Sequence, residues 1–93
     1  MTFSAIKDPQ SVLDYAVDWS SWLASGDTIT SSSWSVSGPD SALVIDTDTN
    51  DDSSATVWLS GGSIALTYKV VNRVVTDQGR TDDRTIEIEI KNK

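Results

Sequence analysis

The residues best able to do chemistry in this 93-residue chain are its fourteen carboxylates, and they are densest in Asp46-Thr47-Asp48-Thr49-Asn50-Asp51-Asp52. Asp46, Asp48 and Asn50 match the D-x-D-x-N opening of a calcium loop. Asp51 then stands where such a loop needs glycine, and Val57 where it needs a bidentate glutamate, which excludes an EF-hand. A looser calcium site on Asp46, Asp48, Asp51 and Asp52 competes with a plainer reading, an exposed acidic loop over residues 46–52 whose charges spread into water. Paired carboxylates for glycoside hydrolysis need a substrate cleft and one pKa raised by burial, and a chain this short has little room for either. There is no histidine and no cysteine, so the commonest general base, thiol chemistry and cysteine zinc sites are missing. Gly61-Gly62-Ser63 fits neither phosphate-loop pattern. These residues point to no catalytic set, no cofactor and no metal.

Four tryptophans, Trp19, Trp22, Trp34 and Trp58, are many for one small domain. A sugar-stacking platform is one use for them. Core filling by Trp19 and Trp34, with Trp22 anchoring a loop, is the simpler one. The formal net charge is −7, and six of the seven cations (Lys69, Arg73, Arg80, Arg84, Lys91 and Lys93) follow residue 68, leaving Lys7 alone before it. A chain this acidic repels phosphate, which argues against nucleic-acid partners. No stretch approaches the eighteen or more apolar residues of a membrane span, and Met1–Gln10 lacks the basic-then-apolar pattern of a signal peptide. The expectation is a soluble product made in the cytoplasm.

Strands must position these groups. Ile64, Leu66, Tyr68 and Val70 alternate with Ser63, Ala65, Thr67 and Lys69, the period of two of a strand with one buried face. The pattern weakens at Val71 and Val75, which suggests a strand leaving the core for an exposed hairpin. Ile86, Ile88 and Ile90 alternate cleanly with Glu87, Glu89 and Lys91. Asp77-Gln78-Gly79-Arg80 between them reads as a hairpin loop. Ala55, Val57 and Leu59 share one face of an earlier strand and Trp58 takes the other, where it either packs under a loop or meets a partner. Val12–Leu23 suits a strand followed by one helical turn, capped by serine and ended by Gly26. Asp27–Ser37 is a strand in which Ile29 falls out of phase unless a bulge re-phases it. Leu43–Ile45 is a short strand entering the acidic loop.

Short strands at this spacing predict an all-β fold, an antiparallel β-sandwich of about seven strands with one short helical turn, ahead of an even-spaced barrel. Trp19, Trp34, Tyr68, Ile86 and Ile88 are its expected core. Tyr68 is placed to bond a backbone group at a corner. Residues 1–11 read as an extended N-terminal arm carrying Phe3 and Ile6, and residues 12–93 as the domain.

Leu13–Ile29 (LDYAVDWSSWLASGDTI), Val57–Gly62 (VWLSGG) and Tyr68–Ile90 (YKVVNRVVTDQGRTDDRTIEIEI) together resemble small proteins from the structural gene clusters of tailed bacteriophages and prophages. The pairing of DW-x-x-WL-x-x-GDTI with Y-x-V-x-N-x-V-x-T-x-x-GRTD-x-RT carries the resemblance. It implies an immunoglobulin-like sandwich located in the virion. Arg80 and Arg84 would pair with Asp77, Asp82 or Asp83 to hold the last hairpin, or Arg80 would face a neighbouring subunit.

The expected function is a non-enzymatic virion module, present in many copies, that decorates, cements or connects head or neck components by contact with the major capsid or connector protein. The alternative is an adhesion or fibre-associated module that binds cell-surface glycan. Phe3, Ile6, Trp58 and Arg80 are the candidate contact residues.

Overall fold

The computed structural model describes residues 2–92, with side chains from Ser4 onward. These residues form seven strands and no helix: β1 (Thr2–Lys7), β2 (Val12–Asp18), β3 (Ile29–Ser37), β4 (Leu43–Asn50), β5 (Ser54–Gly61), β6 (Thr67–Thr76) and β7 (Thr81–Ile90). One sheet has the order β1-β7-β6-β3 and the other β2-β5-β4. They stack as a sandwich with extents of 42 × 20 × 20 Å. The two-sheet all-β expectation holds. One pair departs from a fully antiparallel plan, because β1 runs parallel to β7. A parallel pair needs a long connection, and here the whole domain supplies it.

The core lies where the alternating patterns meet. Tyr68, Val70 and Val74 of β6, Ile86, Ile88 and Ile90 of β7, and Ala55, Val57 and Leu59 of β5 are all buried. Each large apolar side chain withdrawn this way contributes roughly 1.5–3 kcal/mol before entropy is counted. The inner face of β6 stays buried as far as Thr76, so the strand does not leave the core as its sequence suggested. Val71 and Val75 are half-buried on its outer face. The strand also starts later than the alternation implied. Ile64 is exposed and Ala65 sits at φ 68°, because residues 63–66 form a turn in which the Ala65 N–H donates to the Ile90 carbonyl at 2.9 Å.

Three more expectations change. The acidic run is mostly strand: β4 continues through Asp46 and Asp48 to Asn50, with a register shift between Ile45 and Thr47. As an edge strand it can carry carboxylates into water at little cost. Asp51 then closes a tight turn, its Oδ1 accepting from the Ser53 and Ser54 N–H groups at 2.9 and 2.7 Å. The helical turn after β2 is a single hydrogen-bonded turn, with the Trp22 and Leu23 N–H groups both donating to the Trp19 carbonyl. Asp18, not a serine, caps it by accepting from the Ser20 N–H, and Gly26 ends it at φ +78°. The supposed N-terminal arm is β1, a member of the four-stranded sheet. Lys7 at its end is fully buried and donates from Nζ to the Asp8 and Gly61 carbonyls at 2.9 and 2.8 Å. The bulge expected near Ile29 is present, as a register shift between Ile29 and Ser31 that turns Ile29 into the core.

Candidate docking surfaces

The two motif segments meet at one end of the sandwich and are spent on each other. Trp19 is fully buried, and its Nε1 donates to Asn72 Oδ1 at 2.9 Å. Asn72 Nδ2 in turn donates to Ser32 Oγ and the Ser33 carbonyl, so a buried polar chain crosses from the β2 loop through β6 to β3. Trp22 packs edge-on against Trp19, with centroids 5.0 Å apart. The Arg84 guanidinium lies 4.2 Å from the Trp19 ring centroid and donates to the Asp18 carbonyl. Arg80 repeats the arrangement one storey away, 4.2 Å from the Trp22 centroid and donating to the Trp22 carbonyl. Cation–π contact suits arginine because its flat, weakly hydrated head can stack and still donate.

Arg80, a candidate contact residue, is therefore committed internally, and the arginines bind indole faces and carbonyls. Asp83 pairs instead with Arg73, at 2.7 Å. Asp27 sits beneath the same end. Burial pushes its carboxyl up, but Thr76, the Gln78 and Thr28 N–H groups and nearby Arg80 outweigh that and hold it below the ordinary range.

At the far end Tyr68 makes the expected corner, accepting from the Ser63 N–H at 3.0 Å and donating to Asp40. Hydrogen bonds from Tyr68, Ser63 and the Ala42 N–H keep the Asp40 carboxyl low. Gly38 is fixed by this corner, since a Cβ there would stand 2.4 Å from the Tyr68 ring. Trp34 is half-buried against the core opposite Asn72 of β6, and Ile86 and Ile88 are buried in that core. Lys7 and the Asp40 contact were missed. Asn72, set among Tyr68, Val70 and Val74 on an apolar face, was the readable sign of a buried polar partner.

Two surfaces remain open. The outer face of β2-β5-β4 is centred on Trp58, which is 40% exposed and lies between Asp14 of β2 and Thr47 of β4. One row along, exposed Val12 and Val44 flank Ser60. These three strands contain Asp14, Asp18, Asp46 and Asp48 and no lysine or arginine. The second surface is the margin formed by β1. Ile6 is 42% exposed there, beside an outer groove of about 410 Å³ reached by Thr67, Glu87 and Glu89. Between β1 and β2 a slot of about 400 Å³ opens toward the core, walled by Ala5, Tyr15, Val17 and Ile86. Phe3, the remaining contact candidate, lies outside the residues whose side chains are described. Ile6 and Trp58 thus belong to different surfaces. Among the described residues no group of three or more acidic side chains is arranged to hold a metal ion.

No curated protein matches the chain. A family model described as podophage GP4 fiber-tail adaptor protein gp77 matches residues 7–89, a span that includes both motif segments, β2 to β6 and all of β7 but Ile90. This chain belongs to that family of phage virion structural proteins.

Proposed function

We propose that the chain is a non-enzymatic adaptor that joins a fibre to the tail of a podophage-type virion. The family match across residues 7–89 carries this reading. It moves the expected partners from the major capsid or connector protein to the fibre and the tail, and replaces head decoration or neck cementing with fibre attachment. An adaptor needs two separate contacts on a body that does not deform between them. The sandwich offers the Trp58 face and the β1 margin, with a cross-tied core between. The Trp58 face suits a partner with lysines or arginines around an apolar pocket, since it presents one large aromatic on a sheet whose strands carry four aspartates and no lysine or arginine. Repetition around a tail would turn modest single contacts into firm attachment.

On the same footing we read the sandwich as immunoglobulin-like. Support comes from Trp34 on the third strand facing the core, and from buried Tyr68 bonding upstream backbone near the start of β6.

Deleting the gene from an infecting phage tests the adaptor role. Filled heads with tails and no fibres are expected by electron microscopy. Particles that keep their fibres but lose head integrity would return the protein to the head.

A further inference from the structure

We infer that the β1 margin accepts an extended segment of a partner protein as an added strand, one with apolar side chains on its inner positions and lysine or arginine on its outer ones. The inference rests on the adaptor reading, which supplies its partner at the fibre–tail junction.

Among the described residues β1 pairs with β7 and with no second strand. The Lys7 carbonyl accepts from the Lys91 N–H at 3.0 Å, so the odd residues of β1 face the ladder. In a parallel pair alternate residues bond to the same neighbour, and the backbone groups of Ser4 and Ile6 are therefore turned outward. The Tyr15 hydroxyl reaches the Ile6 carbonyl only at 3.5 Å. Such a row is a template for another chain unless something blunts it.

The other sheet edges are blunted. β2 carries Asp14 and Asp18, and β4 carries Asp46, Asp48 and a bulge. β3 has a bulge and lies against β4, which closes that side of the sandwich. β1 has no bulge and no proline, and its one charged residue, Lys7, is turned into the protein. On its inner side the slot walled mainly by Ala5, Tyr15, Val17 and Ile86, with Asp18 also in its lining, would receive alternate apolar side chains of an added strand. On the outer side Glu87 and Glu89 line the groove, which favours cationic residues at the intervening positions. The same glutamates disfavour a second copy of this chain, because pairing β1 with β1 would gather both sets in one groove.

The full-length chain should first be mixed with purified fibre protein and with tail protein. Overlapping short peptides from whichever binds should then be titrated, with amide exchange followed in the complex. One peptide should bind, protect the Ser4 and Ile6 amides, and weaken with added salt. Ser4→Pro removes an outward N–H without touching the ladder to β7, and should lower affinity about tenfold. Ile6→Lys places a competing cation beside the glutamates and should weaken binding while preserving the melting temperature. If partner binds but both variants bind like wild type, or the two amides stay unprotected, strand addition is overturned and the adaptor reading survives. If neither fibre nor tail protein binds, both fall. A homodimer that protects these amides without partner overturns the inference too.

Discussion

The tryptophan end and the β1 margin are built on opposite terms. At the tryptophan end two indoles, two guanidiniums and Asn72 tie the β2 loop to β6 and β7, so elements of both sheets are joined by side chains as well as by packing. At the β1 margin a single ladder and one lysine hold the strand, and apolar wall remains open to water. A protein that must transmit a load between two partners needs the first kind of region for rigidity. It needs the second kind to have somewhere to bind, because a fully satisfied surface has little left to offer.

The contrast breaks most visibly at Trp19. Trp19→Ala removes the largest buried side chain, strands the Asn72 amide and leaves Arg84 without its ring. A loss of roughly 3–5 kcal/mol is expected in urea unfolding. A loss near 1 kcal/mol would mean that the two sheets are held by strand packing alone.

Lys7→Ala probes the margin. Its ammonium is drawn below the usual lysine pKa by burial, against the pull of Asp8 and Asp46, yet it bonds the Gly61 carbonyl and so anchors β1 to the opposite sheet. Removing it should cost roughly 2 kcal/mol, in the range for hydrogen bonds to a charged group. Hydrogen exchange should quicken in β1 while the amides of β6 keep their protection. Uniform loss across both strands would show that the margin and the core unfold as one.

Acid should act on the ends rather than on the margin. Asp18, Asp27, Asp40 and Asp51 all titrate below the ordinary aspartate value of 3.8. Ser20 hydrogen bonds lower Asp18, and the Ser53 and Ser54 N–H groups lower Asp51. A carboxyl that binds its proton less tightly when folded contributes stability above its unfolded pKa and loses it as pH falls through the folded value. Melting temperature should hold from neutral pH to about 4 and drop below it. Asp40→Asn should flatten part of that drop. An unchanged melting temperature at pH 2.5 would remove these carboxylates from the account.

The sandwich is legible because several of its strands alternate, above all at Ile86, Ile88 and Ile90. What stayed hidden was set by partners distant in sequence. Nothing local marks Thr2–Lys7 as a strand, since it exists only by pairing with the other end of the chain. Nothing local marks Lys7 as buried until Gly61 is brought to it. The acidic run reads as a loop because Asp and Asn rarely sit in strands, and the tolerance of an edge position is a tertiary fact. Arg80 and Arg84 read as structural residues, but the aspartates nearby hide the indole faces that hold them. Trp58 was placed on the outward face by alternation alone, and it is there.

Trp58→Ala is the smallest perturbation of the fold and the most informative about the second surface. The ring is 40% exposed, with Asp14 and Thr47 beside it on the neighbouring strands, so its removal should lower unfolding free energy by about 1 kcal/mol, the upper range of a cross-strand pair. If the three-stranded face is a docking surface, the variant should fold normally and yet fail to co-purify with one of the two junction proteins, while Ser4→Pro fails with the other. Complementary losses would establish two independent contacts on one body. Loss of the same partner by both variants would leave a single wrapped contact, and the molecule would be a clamp on one protein instead of a link between two.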